Sequence, residues 1–173
     1  MIEVTRRAAL VAAFGITTMS LMAREGKADS APAGRAEGVL TVNGKNIKVT
    51  IAYARSVPGF ADPNVPDIQV ILSDVPLDEK ALSDDFTRID MAKAGKLHAF
   101  EIIIDGSGTP ISTTWRHNGF IGPTPSGISS DDVFTKKTLN ADLIEGSYKS
   151  GPNGEFFGNT YSFDVSFTAP IAH

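Results

Sequence analysis

Apolar and polar side chains alternate without exception near the end of the chain. Over residues 160–168, Tyr161, Phe163, Val165 and Phe167 are separated by single small or polar residues. Successive side chains of a β-strand point to opposite faces, so this spacing places the four large side chains on one face. The pattern predicts a half-buried antiparallel strand whose apolar face needs a second layer to cover it.

Other segments supply strands for that layer. Asn43-Gly44 separates two alternating runs, and this dipeptide favours the type I′ turn of a tight β-hairpin because both residues accept positive φ angles. A second hairpin is predicted around the glycine-rich turn at residues 105–108. Three further strands are predicted over residues 67–72, 133–139 and 142–149.

One helix is expected to interrupt the strands. Leu82, Phe86, Ile89 and Ala92 recur at helical spacing. Ser83 is predicted to be the N-cap, because its hydroxyl can accept a hydrogen bond from the free N–H groups of the first turn. These residues predict one short helix of about three turns that packs over an edge or an end of the sheet.

The sum of these elements predicts a mainly β fold. Short strands separated by turn signals, with one helix inserted, are typical of an antiparallel β-sandwich of immunoglobulin-like type. A small barrel is the alternative. We expect residues 34–173 to form this fold as a single domain, because no internal repeat or linker divides them.

Residues 1–33 have the order of a secretory leader, with two arginines, an apolar run and then small residues. The segment Thr5-Arg6-Arg7-Ala8-Ala9-Leu10 resembles the twin-arginine export signal, although Ala9 stands where that signal has a bulkier residue. The resemblance implies export and cleavage after Ser30 or Ala33, with general secretion or a retained anchor as alternatives. We therefore expect a periplasmic or secreted bacterial protein.

Charge and cysteine content exclude several classes of function. Removal of residues 1–33 takes away four basic and three acidic side chains, which changes the net charge from −4 to about −5. An acidic chain without a basic stripe argues against nucleic-acid binding. The chain has no cysteine, so disulfides, thiol catalysis and thiolate metal sites are excluded. No apolar run approaches the ~20 residues of a membrane span, so we expect none in the mature chain.

The longest irregular stretch is the predicted binding loop. Residues 118–132 are rich in glycine and proline and have no usable period. Long irregular loops of compact domains are often binding loops. The first hypothesis is therefore an exported, non-catalytic binding or accessory protein whose partner is an unidentified protein, peptide or glycan. The predicted binding residues are Trp115, Asn118, Phe120, Ile121 and Ile128.

Two histidines give a second hypothesis, a metal-binding periplasmic protein. With Gly106 and Ser107 at the centre of the second hairpin turn, His98 and His117 project from one face at diagonal positions. With Asp131 or Asp132 from the loop, they would form a three-ligand site for a divalent metal. The alternative is structural, because a half-buried histidine at the rim of a core is ordinary. We expect no other cofactor.

A third hypothesis is a structural subunit of an envelope complex, in which an exposed sheet edge pairs with another chain. An enzyme is not favoured. The chain has no Gly-x-Ser-x-Gly nucleophile elbow, and no local pattern places a serine beside a histidine.

Overall fold

The computed structural model describes residues 32–152 and 154–173. The predicted export signal therefore lies almost wholly outside the described residues. The elements, in chain order, are β1 (Gly34–Val42), β2 (Lys45–Val57), β3 (Asp67–Ser73), α1 (Glu79–Ser83), α2 (Asp85–Lys93), β4 (Ala99–Ile104), β5 (Pro110–Arg116), β6 (Val133–Leu139), β7 (Leu143–Lys149), β8 (Gly154–Phe156) and β9 (Asn159–Ala172).

The strands form one curled antiparallel sheet, a half-barrel. Their order is β5-β4-β3-β2-β1-β9-β7-β6, and β8 pairs with β9. Curling brings strands that are distant in the sheet order into contact: the rings of Phe100 on β4 and Phe163 on β9 have centroids 4.4 Å apart. The mainly β, antiparallel prediction is confirmed. The immunoglobulin-like sandwich is not confirmed, because a single continuous sheet encloses the core.

Strand β1 lies between the two longest strands, β2 and β9, and is shorter than either of them. At Gly38 an added Cβ would lie 2.2 Å from the carbonyl oxygen of Asp164, and φ is +151°, so only glycine fits. The pairing of β1 with β2 is irregular between Arg35 and Gly38. Beyond the start of β1, β2 and β9 pair directly and in parallel, with Ala54 opposite Ile171.

The concave face of the sheet holds the main core. The alternation in β9 is confirmed, since Phe163, Val165 and Phe167 are buried while Asp164 and Ser166 face solvent. The other strands also contribute large apolar side chains to this core. The larger members of this core are Leu40, Val49, Leu72, Phe100, Ile102, Trp115, Ile144, Tyr148, Phe163 and Phe167.

Two helices, rather than the one predicted, cover the convex face. Asp84, not Ser83, caps α2: its carboxylate accepts hydrogen bonds from the backbone N–H of Phe86 (3.1 Å) and Thr87 (3.2 Å). Asp84 has an extended backbone, which separates α1 from α2. The predicted apolar stripe is also wrong in part, because Phe86 is 75 % exposed.

The large buried side chain of α2 is Arg88, not Phe86 as the apolar pattern predicts. It is 1 % exposed, and its Nε donates to Glu101 Oε1 on β4 at 2.9 Å. Its Nη1 donates to the carbonyls of Ala81 (2.7 Å) and Leu82 (3.0 Å), which are free at the end of α1. One guanidinium therefore joins both helices to the sheet.

Both predicted hairpins form, but the register of the second differs by two residues. The first turns at Asn43-Gly44 with φ of +49° and +79°, as predicted. In the second, Phe100 lies opposite Trp115. Two features account for the difference. Gly108, with φ of +87°, lengthens the turn by one residue. The register shift between Ile103 and Ile104 leaves one further residue of β5 unpaired in a bulge. Because the shift beyond the bulge is two residues, Thr113 and Trp115 keep their predicted face, whereas Ile111 lies in the bulge and is 38 % exposed.

Candidate functional site

The segment 118–132 is tied to the sheet at both ends. Asn159, which is 1 % exposed, accepts from the N–H of Ile121 (2.8 Å) and donates to its carbonyl (3.1 Å). Asn43 donates to the carbonyl of Gly119 at 2.9 Å. A buried amide that satisfies both backbone groups of one residue holds that residue in place.

The far half of the segment lies along the edge of β5. The N–H of Gly127 donates to the carbonyl of Thr113 at 3.0 Å, and the Thr113 hydroxyl donates back to the carbonyl of Gly127. Thr114 and Ser126 form a single antiparallel bridge. The segment therefore covers part of an edge that would otherwise present unpaired backbone groups.

The five predicted binding residues have different environments. Trp115 (2 % exposed) and Phe120 (9 %) belong to the core, and their rings meet edge to face at 5.5 Å. Ile121 and Ile128 are 82 % and 43 % exposed. Asn118 is exposed beside His98. The segment is thus anchored in the core by Phe120, and it exposes Ile121 and Ile128.

A groove of about 480 Å³ runs between α2 and residues 117–124. Three of the predicted binding residues, Trp115, Asn118 and Phe120, line it. The helix contributes Ile89, Ala92 and Lys93 to the opposite wall. Its volume is within the range of small-molecule sites, which are concave and mostly apolar with a few placed polar groups.

His98 and His117 meet at the end of the β4–β5 ladder next to this groove. They lie one position beyond the paired residues Ala99 and Arg116, and their ring centroids are 4.7 Å apart. His98 Nδ1 lies 2.7 Å from Asp74 Oδ2, and its backbone N–H donates to Asp74 Oδ1 at 2.8 Å. Such a carboxylate fixes the orientation and tautomer of an imidazole.

His117 is held neutral. It is 5 % exposed, and its Nδ1 accepts a hydrogen bond from the N–H of Gly119 at 2.8 Å. Burial, together with the charge of neighbouring His98, lowers its pKa to about 4. The proton of the neutral ring therefore sits on Nε2, which is buried without a hydrogen-bond partner among the described residues. His117 also lines the groove.

His98 and His117 lie directly opposite each other, not at the diagonal positions that the sequence predicts, and the predicted carboxylate does not join them. Asp131 bonds to Ser129 and Ser130, and it is Asp74 that contacts His98. In residues 32–152 and 154–173 there is no cluster of three or more histidine, aspartate or glutamate side chains that could hold a metal. To bind a metal through Nε2, His117 would need its proton on Nδ1, which would break the bond from Gly119. The metal hypothesis stays a prediction.

Sequence reasoning missed two residues that shape this site. Asp74 follows β3 directly, a position from which a side chain can reach the start of the neighbouring strand β4. Asn159 begins β9 and reaches back to Ile121, 38 residues earlier. No local pattern signals either contact, because both depend on which strands are neighbours in the sheet.

None of the helices in the described part of the chain has the length and apolar character required to cross a membrane. The groove beside the His98–Asp74 pair is concave and partly apolar, so it is able to hold an apolar molecule. The chain shows no significant match to a protein-family model, to a curated protein or to a solved structure.

Proposed function

We propose that this protein is an exported, non-catalytic binding protein whose groove between α2 and residues 117–124 holds an apolar molecule with an anionic head group. The observation that carries the proposal is the groove itself. It joins an apolar lining to a lysine and to the neutral ring of His117.

The lining of the groove favours an apolar ligand body. Ile89 and Ala92 lie on one wall, and Phe120 and Pro123 lie on the other. Burial of apolar surface contributes about 25 cal/mol per Å², so an alkyl chain or ring of moderate size gains several kcal/mol on entry. Part of that gain offsets the translational and rotational freedom that a ligand loses on binding.

Charge at the groove favours an anionic head group. Lys93 is exposed and forms no ion pair among the described residues. Arg116 also lines the groove, but its charge is matched by Glu101 and Asp85. Lys93 is therefore the cation that a ligand carboxylate would meet.

The anchoring of the segment supports binding without large rearrangement. Asn159 and Asn43 hold residues 119–121 by side-chain hydrogen bonds, and the Phe120 ring is in the core. A wall that is ordered before the ligand arrives lowers the entropy cost of association.

Isothermal titration with decanoate tests the proposal, because this probe combines an alkyl chain with one carboxylate. We expect saturable binding that Lys93→Glu weakens about tenfold or more, since attraction becomes repulsion. Lys48→Glu makes the same charge change on an exposed residue of β2 and should bind like the parent protein. Thr124→Phe should also weaken binding, because it adds bulk to an exposed lining position.

Two results would contradict the binding proposal. One is the lack of saturable decanoate binding by the folded parent protein. The other is binding that neither Lys93→Glu nor Thr124→Phe changes. Decanol, which has the same chain without the charge, separates the contribution of the head group from that of the alkyl body.

Export is a separate part of the proposal and has its own test. The precursor with Arg6→Lys and Arg7→Lys should remain inside a bacterial host, whereas the parent chain should be processed near Ser30 or Ala33. Mass spectrometry of the mature amino terminus checks this. Unchanged export of the double variant would favour the general secretion route.

A further inference from the structure

The open seam of the half-barrel carries a second site. Strands β5 and β6 end the sheet order and do not pair with each other in the described residues. Two adjoining cavities lie along this seam, with volumes of about 450 and 170 Å³. Both are lined by Ile128 and Asp132 from the segment 118–132. We infer that the larger cavity binds a neutral saccharide, through Tyr148, Lys136 and Asp132.

Tyr148 is the observation that points to a ligand. Its side chain is 1 % exposed and lines the larger cavity, yet its hydroxyl has no hydrogen-bond partner among the described residues. A buried polar group without a partner is costly to the free protein and needs an explanation. A ligand oxygen that bonds to this hydroxyl would remove the cost.

The charges at the cavity favour a neutral ligand. It is lined by one cation, Lys136, and one anion, Asp132. Lys136 Nζ donates to the carbonyl of Ser107 at 2.7 Å and has two further N–H groups. Asp132 accepts from the N–H groups of Gly151 (3.2 Å) and Ser129 (3.3 Å) and has lone pairs to spare. Because the lining carries one charge of each sign, it gives no net attraction to an anion or to a cation.

The remaining lining groups favour a ligand that has hydroxyls. Ser107 and Thr109 bring hydroxyl oxygens that can accept: Ser107 Oγ donates its proton to Asp105 Oδ1 at 2.6 Å and lies 3.0 Å from Thr109 Oγ1. The Tyr148 phenol is free to donate and accept. Burial raises the pKa of Tyr148 to about 12, so the phenol keeps its proton. A molecule that must match donors and acceptors together, without net charge, is a polyol.

Phe134 supplies an apolar face beside these polar groups. Its half-buried ring lines the same cavity and meets the Tyr148 ring edge to face, with centroids 5.5 Å apart. The C–H face of a sugar ring can pack on such an aromatic surface while its hydroxyls bond at the rim. The cavity volume is large enough for a monosaccharide or disaccharide.

This inference does not rest on the proposed function. The groove beside α2 and the larger seam cavity have no lining residue in common. Decanoate can therefore fail to bind while a sugar binds, and the reverse is equally possible.

A glycan array that displays neutral and acidic saccharides, followed by titration calorimetry of the best neutral sugar, tests the inference. We expect Tyr148→Phe to weaken the affinity at least tenfold while raising Tm of the free protein by about 2–4 °C, because an unpartnered hydroxyl is removed. Lys136→Met should weaken the affinity without loss of folding.

Tyr53→Phe is the matched control. The Tyr53 hydroxyl accepts a hydrogen bond from the N–H of Leu77 at 3.0 Å on the convex face, so its loss should lower Tm and leave sugar affinity unchanged. The inference is overturned if no neutral saccharide binds, if only acidic glycans bind, or if both Tyr148→Phe and Lys136→Met keep the parent affinity.

Discussion

His117 couples the site to pH. The ring is neutral in the folded protein because burial and His98 lower its pKa to about 4, whereas an unfolded histidine has a pKa of 6.5. The unfolded state therefore binds the proton more readily between these two values. The stabilisation of the folded state by neutral His117 is fully present above about pH 6.5, and it is lost as the pH falls towards 4.

We predict a loss of stability on acidification that depends on His117. The full shift corresponds to roughly 3 kcal/mol, and solvent near this end of the sheet reduces the expected loss to about 1–2 kcal/mol. Urea denaturation at intervals from pH 7.5 to 4 measures it. His117→Asn, whose Oδ1 can still accept from Gly119, should have a flatter profile, and a profile as steep as the parent's would refute this assignment.

The neutral form of His117, with its proton on Nε2, gives a prediction about metal binding. Because Nδ1 of His117 is used by Gly119, we expect added Zn²⁺ to leave Tm within a degree of the metal-free value. Differential scanning fluorimetry is sufficient to measure this. A clear rise in Tm that disappears in His117→Asn would instead support the metal hypothesis.

Arg88 and Glu101 show how burial changes the effect of an ion pair on stability. Glu101 is 4 % exposed and bonds to both Arg88 (2.9 Å) and Arg116 (2.8 Å). Removal of one partner from a buried pair leaves a charge without compensation. The exposed pair of Lys149 and Asp164, at 2.7 Å, is surrounded by solvent instead.

We predict that Glu101→Ala lowers the free energy of unfolding by about 3–5 kcal/mol, whereas Asp164→Ala changes it by less than about 1 kcal/mol. Chemical denaturation of the two variants beside the parent measures the difference. Equal and small effects would show that Arg88 finds other partners when Glu101 is absent.

At the scale of elements, the strands were predicted far better than the helices. Alternation and turn residues are local signals, and Val133–Leu139 formed with the predicted bounds. The predicted apolar face of the helix is wrong at Phe86. The surface of the sheet under the helices presents the carboxylate of Glu101, and a buried arginine can form an ion pair with it whereas a phenylalanine cannot. A carboxylate on the convex face cannot be read from the helix sequence.

The segment 118–132 combines a structural anchor with exposed groups, and two neighbouring residues separate these roles. We predict that Phe120→Ala costs about 3–5 kcal/mol of stability, because it leaves a cavity beside Trp115. Ile121→Ala, at a residue that is 82 % exposed, should cost less than about 0.5 kcal/mol. Thermal and urea unfolding of both variants test this, and similar costs would contradict the anchor.

For the whole molecule, local patterns could not predict how the strands pair. The pairing of β1 with β9 joins residues more than 100 positions apart, for example Val42 with Tyr161. That pairing turns the predicted strands into one curled sheet and leaves β5 and β6 as its two ends. The groove and the seam cavities are consequences of this topology, which explains why only parts of their lining were predicted.

The groove between α2 and residues 117–124 is the surface that we propose accepts an apolar anion. Backbone amide NMR during a decanoate titration tests it most directly. We predict saturable shifts concentrated at Lys93, Asn118, Gly122 and Thr124, and absent from β6 and β7. No saturable shift, or shifts centred elsewhere, would contradict binding of the ligand in this groove.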